Sequence, residues 1–162
     1  MIYDTPQGPL RLASHNGSLC LCDWTESRHH TAILAKLRKK LGTAFKEKSD
    51  PVLDIAVRQL DEYFATRRNS LEVPLMPIGT DFQKTVWQAL LQIPYGATLS
   101  YRDIAAMIGK DNSVRAIANA IGANPLSIFI PCHRVIGADG SLTGYAGGLP
   151  AKRHLLSLES QP

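Results

Sequence analysis

Residues 130–135 place a cysteine, a histidine and an arginine in direct succession, in the run Ile-Pro-Cys-His-Arg-Val. A thiol with an ordinary pKa of about 8.5 is only slightly ionised at neutral pH, and a neighbouring base or cation makes it a competent nucleophile. Pro131 restricts the backbone just before the pair. The run predicts a reactive thiol at Cys132 with His133 beside it, although a Cys-His pair alone more often marks a buried structural cysteine.

The flanking sequence favours the reactive interpretation. Asn124 and Pro125 precede the pair, and the run Gly-Tyr-Ala-Gly-Gly-Leu follows it at residues 144–149. Together these motifs resemble those of the O6-alkylguanine-DNA alkyltransferases, repair proteins that move an alkyl group from a guanine oxygen onto their own cysteine. The motifs span roughly two dozen positions, so a chance match is much rarer than for one short motif. The resemblance extends from about residue 81 to residue 159 and is loose in the N-terminal half.

The resemblance implies roles for five side chains in alkyl transfer. Cys132 accepts the alkyl group, His133 draws off the thiol proton through a water, and Glu159 orients that histidine. Tyr101 gives a proton to guanine as the base leaves, and Asn124 braces the turn that carries the cysteine. The thioether product resists hydrolysis, so each molecule reacts once and needs no cofactor or metal. The expected substrates are O6-alkylguanine and O4-alkylthymine in DNA.

The resemblance also implies contacts with the substrate base. Tyr145 and Ala146 lie on a loop that covers the base, with the Ala146 amide facing the guanine oxygen. The backbone carbonyls of Cys132 and Val135 accept from the exocyclic amine. Simple packing of the loop is the alternative for Tyr145. Thr143 stands where relatives can carry glycine, which could narrow the alkyl pocket.

Residues 114–122, Val-Arg-Ala-Ile-Ala-Asn-Ala-Ile-Gly, predict a helix with few groups that can read base edges. Major-groove readout uses several long hydrogen-bonding side chains, whereas this helix suits close approach to the minor groove. A core helix with one exposed arginine fits the composition equally well. The resemblance places the helix in the minor groove, with Arg115 in the base stack where the alkylated nucleotide has flipped out. The expected DNA contacts come from Tyr101, Ser113, Arg115, Ala116 and Ala120.

The hydrophobic periodicity predicts an α+β fold in two domains, residues 1–77 and residues 78–162. The first is a small α/β domain with a short antiparallel sheet and a hairpin turn at Asn16-Gly17. The second is mostly helical and contains a helix-turn-helix. The resemblance to the alkyltransferases implies that the first is ribonuclease-H-like and the second winged-helix-like. The predicted strands are 10–14, 18–24 and 71–75, and the predicted helices are 28–41, from 50 onwards, about 80–93, 101–108, 114–122 and 150–159.

Cys20 and Cys22 lie close to His29 and His30, which raises the alternative of a metal site. The spacing matches no common zinc finger or ribbon, and alternate residues on a strand often simply pack together. The strand at residues 18–24 is expected to be covered on both sides. Its predicted faces carry Leu19 and Leu21 on one side, and Cys20, Cys22 and Trp24 on the other. No metal site is expected.

Composition is that of an ordinary globular protein, with 44% hydrophobic and 20% charged residues in a chain of 162. The net charge of +4 mildly favours a polyanionic partner, and the basic run at residues 36–40 reads as the solvated face of a helix. The N-terminus shows no export signal, and no apolar run reaches membrane-spanning length. A cytoplasmic monomer with free thiols is expected, with double-stranded DNA containing alkylated guanine as its partner and no membrane.

Three other functions remain open from the sequence. A non-catalytic binder of DNA lesions would share the fold, but such relatives lack the cysteine. A regulator that reads sequence through its helix-turn-helix would need a more polar recognition helix. A cysteine hydrolase would need an oxyanion-binding motif, and the sequence shows none outside the alkyltransferase motifs.

Overall fold

The computed structural model describes residues 1–161, which form the expected α+β fold. The described residues contain the strands β1 (Ile2–Thr5), β2 (Gly8–His15), β3 (Ser18–Trp24), β4 (Leu99–Ser100) and β5 (Val135–Ile136). They also contain the helices α1 (His30–Leu41), α2 (Pro51–Phe64), α3 (Asp81–Leu90), α4 (Tyr101–Met107), α5 (Val114–Gly122) and α6 (Leu149–Glu159). A turn of 3₁₀ helix, Cys132–Arg134, carries the Cys-His pair.

The N-terminal part is built on an antiparallel sheet in the order β1-β2-β3. The predicted hairpin joins β2 to β3, and both turn residues, Asn16 and Gly17, have positive φ. Strand β1 was not predicted from the sequence. It pairs with β2 through a second tight turn, in which the Thr5 hydroxyl donates to the Gly8 carbonyl at 2.7 Å.

A β-bulge at Cys20 changes the predicted faces of β3. Ala13 pairs with Leu21 and Ser14 pairs with Leu19, so Cys20 is the extra residue opposite this step. The extra residue breaks the alternation of side chains along the strand. Cys20 and Leu21 therefore pack together under α1, while Leu19 joins Cys22 in the main core. The predicted assignment of these residues to faces is wrong.

The predicted edge strand at residues 71–75 is reduced to a single bridge. Leu75 pairs in parallel with Leu19 as an isolated bridge, in which the Leu19 amide donates to the Pro74 carbonyl at 2.8 Å. The backbone of Glu72 is bonded elsewhere, because Gln59 on α2 donates to its carbonyl at 3.0 Å and accepts from its amide at 2.6 Å. This side-chain clamp draws the segment onto α2 rather than into the sheet.

The free edge of β3 also holds the segment that leads to the Cys-His pair. The Cys22 amide donates to the Pro125 carbonyl at 2.9 Å, and the Ser127 amide donates to the Cys22 carbonyl at 2.7 Å. Leu126 and Cys132 pack in the same core cluster as Cys22. The N-terminal sheet therefore directly contacts residues 124–134, the active-site segment, which runs from Asn124 to the end of the 3₁₀ turn.

Helices α4 and α5 form the predicted helix-turn-helix, and both pack on α3. Ser100 caps α4 in a capping box with Asp103. Ser113 occupies the N-cap position of α5, but its side chain makes no capping bond. Helix α3 ends at Leu90, three residues before the predicted end at Ile93, which is nonetheless 2% exposed.

Within residues 1–161, none of the helices combines the length and apolar character that a membrane span requires.

Candidate active site

A tight turn between residues 124 and 130 positions the cysteine. The Asn124 side chain accepts from the Leu126 amide and donates to the Ile130 carbonyl, both at 2.9 Å. Ile128 adopts φ of 73°, a strained conformation for a β-branched residue. The Cys132 amide donates to the Ile130 carbonyl at 2.7 Å. Asn124 thus bonds to backbone groups on both sides of the turn.

The thiol of Cys132 lies inside the protein, in a residue that is 5% exposed. Burial raises the pKa of Cys132 above its ordinary value, while the Asn124 side chain and the positive charge of Lys152 act in the opposite direction. A thiol in this position is not ionised at neutral pH without a base. The chemistry of a cysteine nucleophile therefore requires a neighbouring group that takes its proton.

His133 is fully buried and forms a hydrogen bond between its Nε2 and Glu159 Oε1 at 2.7 Å. Burial lowers the pKa of His133 despite the opposing effect of Glu159, so the ring is neutral at pH 7. A neutral ring that donates its Nε2–H to Glu159 keeps a lone pair on Nδ1. That Nδ1 is buried and has no hydrogen-bond partner among residues 1–161. The residue next to Cys132 in the chain therefore keeps a nitrogen lone pair that can accept a proton.

Glu159 is bound by several donors from other parts of the chain. Arg134 donates from Nε to Oε2 and from Nη2 to Oε1, both at 2.8 Å, and the Tyr63 hydroxyl donates to Oε1 at 2.7 Å. Burial alone would raise the pKa of Glu159, but the hydrogen bonds from His133 and Arg134 outweigh it and lower the pKa to about 2. The carboxylate is therefore ionised throughout the physiological range.

The depressed pKa of Glu159 predicts a loss of stability in acid. A carboxyl whose pKa falls on folding contributes stability above its unfolded pKa, and this is lost as pH falls through the folded pKa. A shift from 4.5 to about 2 corresponds to about 3 kcal/mol, lost between about pH 5 and pH 2. Urea unfolding at a series of pH values measures this loss, and Glu159→Gln should flatten that part of the curve. An equally steep dependence in the variant would contradict the assignment.

The loop at residues 143–148 packs against His133 and Trp24. The Tyr145 hydroxyl accepts from Trp24 Nε1 at 3.1 Å, and the Tyr145 ring lies edge-on to His133 at 6.4 Å between centroids. A Cβ on Gly147 would lie 2.6 Å from the Trp24 indole, which explains why a glycine stands there. Ala146 is half-buried beside Tyr145. Of the two loop residues expected at the base, Tyr145 contacts His133 and Trp24, and Ala146 packs against the main core.

The other residues expected at the base already make contacts in this structure. The Tyr101 hydroxyl and Thr143 Oγ1 lie 2.7 Å apart, which joins the helix-turn-helix to the loop. The Val135 carbonyl accepts from Lys152 Nζ at 2.6 Å, and the Cys132 carbonyl accepts from the Val135 amide. A base amine would share these carbonyls through their second lone pairs.

Sequence reasoning missed the structural neighbours of the predicted residues. Lys152, 1% exposed, bonds the carbonyls of Val135 and Thr143, and so ties α6 to the loop. Tyr63 reaches the site from α2, and Trp24 from β3. A lysine on a helix is ordinarily exposed, and nothing in the spacing of the aromatic residues distinguishes them from core residues.

Of the expected DNA-contacting residues, Tyr101 begins α4, and the other four lie on α5 or at its N-cap, on two faces of the helix. Arg115 and Ala116 are exposed, and Ser113 is partly exposed at the N-terminus of the helix. Ala120 is 3% exposed, and its carbonyl accepts from Trp87 Nε1 at 2.9 Å. The expectation for Ala120 is corrected, because helical periodicity puts it on the face that packs against α3.

The cysteines and histidines of the N-terminal part do not converge. Cys20 Sγ lies 3.5 Å from the Ala13 carbonyl, whereas Cys22 packs in the main core. His30 Nδ1 is bonded to Asp23 Oδ2 at 2.6 Å. Over residues 1–161, no group of three or more potential ligands of the His, Cys, Asp and Glu types is placed to hold a metal.

The fold and the site define a two-part α+β protein in which a buried cysteine and a buried histidine stand together in a chain that also contains a helix-turn-helix. Residues 81–161 match the family described as 6-O-methylguanine DNA methyltransferase, DNA binding domain, and residues 1–77 match its ribonuclease-like domain. The chain therefore belongs to the 6-O-methylguanine DNA methyltransferase family.

Similar proteins cover almost the whole chain. A methylated-DNA–protein-cysteine methyltransferase of Methanosarcina barkeri is 45% identical over 160 residues, which cover 98% of this chain and 94% of the relative. One of Mycobacterium tuberculosis is 45% identical over 161 residues, covering 96% and 88%. A crystal structure of Mycobacterium tuberculosis OGT in complex with DNA is similar with a TM-score of 0.82 and 44% identity, covering 98% of this chain and 91% of that one.

Proposed function

We propose that this protein repairs DNA by moving a methyl or other alkyl group from O6-alkylguanine onto Cys132. The observation that carries the proposal is the burial of Cys132 on a braced turn, beside a neutral histidine whose Nε2 is bound to a carboxylate. The family and the names of the full-length relatives support this activity. We also propose that the protein acts as a monomer on one lesion.

The transfer is a displacement at the alkyl carbon. His133 Nδ1 takes the thiol proton through a water, and the resulting thiolate of Cys132 attacks the carbon. The S–C bond forms while the bond from carbon to O6 breaks, and the electron pair moves into the guanine ring. Tyr101 gives a proton to the leaving base. Glu159 holds the His133 tautomer, in the manner of an orienting carboxylate.

The thioether product explains why the protein acts once. Its sulfur is a poor leaving group, and no second nucleophile is needed for the transfer itself. O4-alkylthymine presents the same alkyl–oxygen bond and is a second substrate of the same site. The exposed face of α5, with Arg115 and Ala116, enters the minor groove, and Arg115 fills the space left by the flipped base.

The fate of the DNA tests this function. Duplex DNA with a single O6-methylguanine is incubated with the protein and digested to nucleosides. We expect unmodified deoxyguanosine to replace the lesion, up to one equivalent of protein. Unchanged O6-methylguanine in bound DNA would indicate a lesion binder, and an abasic site would indicate a glycosylase; either result contradicts the proposal.

Arg115 should matter for duplex DNA and little for a free base. The guanine oxygen is paired and stacked in the duplex, so the nucleotide must be extruded before the thiol can reach it. Arg115→Ala is expected to slow transfer from duplex DNA by about tenfold or more, and transfer from a free O6-alkylguanine base by less than about twofold. Single-turnover rates on the two substrates measure this. Arg58→Ala, an exposed arginine on α2, serves as the control.

Equal losses for Arg115→Ala on both substrates would mean that this arginine supports the fold or the thiol instead.

Binding to undamaged duplex should be nearly indifferent to sequence and should weaken as salt rises, because phosphate contacts supply its free energy. Sequence-selective binding would favour a gene regulator.

A further inference from the structure

Tyr63 connects the N-terminal part of the chain to the catalytic histidine. It lies near the end of α2, is 1% exposed, and donates to Glu159 Oε1 at 2.7 Å. This is the same oxygen that is bonded to His133 Nε2. A single oxygen atom, Glu159 Oε1, thus links the Tyr63 hydroxyl to His133 Nε2, although the two residues are 70 positions apart in sequence.

The position of Tyr63 is fixed by its surroundings. Its ring packs edge-on to Tyr95 at 6.2 Å and to Phe64 at 5.3 Å. The Arg134 guanidinium lies over the Tyr95 ring at 5.8 Å and donates to the Ile93 carbonyl at 2.7 Å. These contacts leave the phenol aimed at Glu159, so its hydrogen bond is made without further loss of side-chain entropy.

The effect of the Tyr63 phenol on the protonation of His133 depends on the other charged and titratable groups around the ring. Glu159 faces the ring from α6 as an anion, and Arg134 on the 3₁₀ turn partly neutralises it. Lys152 on α6 adds positive charge, while Tyr145 and Cys132 are neutral because burial raises the pKa of each. Glu159 Oε1 is thus bonded to Arg134 and Tyr63 as well as to His133. Because the oxygen shares its negative charge among three donors, it stabilises a protonated His133 less than it would with one.

We propose that Tyr63 is a positioning residue for alkyl transfer, which keeps His133 in its neutral, proton-accepting form by sharing the Glu159 carboxylate. The proposal deepens the proposed function and rests on it. It also assigns a catalytic contribution to the N-terminal part of the chain, beyond its support of the active-site segment through β3.

Tyr63→Phe removes the donor and little else. With one donor fewer, Glu159 Oε1 interacts more strongly with His133, so the protonated ring is stabilised and the pKa of His133 rises. The neutral base then exists only at higher pH. The acid limb of the transfer rate should move up by about one pH unit, with the rate at high pH nearly unchanged. The same rise should appear in the His133 imidazole signals in an NMR titration.

Tyr3→Phe is the matched control, because the Tyr3 hydroxyl also donates to a carboxylate, Asp61 Oδ1, at 2.7 Å, away from the site. Its pH profile should coincide with that of the unmodified protein. In a Glu159→Gln background, Tyr63→Phe should produce no further shift of the acid limb, since the shared carboxylate is gone.

The outcomes separate this proposal from the function on which it rests. If the unmodified protein transfers no methyl group, the proposed function fails, whereas the NMR titration still measures the effect on His133. If transfer occurs but Tyr63→Phe lowers the rate equally at every pH and leaves the His133 titration in place, Tyr63 is only structural and the proposal is overturned.

Discussion

Cys132→Ala is expected to reduce alkyl transfer to an undetectable level, while affinity for duplex DNA stays within a few-fold of that of the unmodified protein. Cys132 is the cysteine that has a histidine beside it on the 3₁₀ turn, whereas Cys20 and Cys22 lie on β3 and have no histidine next to them in the chain. Neither of them can replace the lost nucleophile. Transfer of a labelled methyl group from DNA to protein, with DNA binding measured in parallel, tests this.

Cys20→Ala is the control for that experiment. It removes a buried thiol that lies against the Ala13 carbonyl, in a different hydrophobic cluster from Cys132, and should leave transfer intact. Residual transfer in Cys132→Ala would place the acceptor elsewhere. A large loss of DNA affinity in the same variant would instead mean that the turn itself depends on the thiol.

His133→Phe is expected to slow transfer by about 10²-fold or more, because general-base catalysis is lost while the ring shape is kept. The buried thiol of Cys132 then has no adjacent base, so its reaction with a small thiol reagent should require higher pH. Single-turnover transfer rates and the pH dependence of thiol labelling measure the two effects. His154→Phe, on α6, is the matched control and should change neither.

An unchanged transfer rate in His133→Phe would contradict the role of this residue as a base. The hydrogen bond to Glu159 would then serve only the fold. The variant should first be shown to fold, since it leaves Glu159 with one donor fewer in a buried position, at a cost of about 1–3 kcal/mol.

The sequence predicted best where residues close together in the chain act together. Cys132 and His133 are neighbours in the chain, on a turn closed by local hydrogen bonds, whereas the bracing by Asn124 was expected through the resemblance alone. The spacing of α4 and α5 likewise predicted the helix-turn-helix. In both cases the structure depends mainly on neighbouring residues, and local patterns are informative.

Contacts between distant segments were not predictable in this way. From the sequence, Lys152 looks like a surface lysine and Tyr63 like a core aromatic residue. Tyr63 finds its polar partner only because α2 contacts Glu159 on α6, and Lys152 only because α6 contacts the carbonyl of Val135. The contact of Glu159 with His133 was expected through the resemblance alone. Neither spacing nor periodicity places these two residues together.

Tertiary packing also overrode two local patterns. The bulge at Cys20 is set by the pairing of β3 with β2, which alternation within a single strand does not reveal. Ala120 looks suitable for close approach to DNA because it is small, yet the same property lets α3 pack against it. Small size alone does not distinguish the two faces of α5.

The mass of the intact protein after mixing with DNA that contains O6-methylguanine tests the central claim most directly. We expect the addition of one methyl group per molecule, located on Cys132 by peptide mapping, with no further addition when fresh substrate is supplied. Unmodified DNA should add nothing. Multiple turnover, or a methyl group on Cys20 or Cys22 in place of Cys132, would contradict the account.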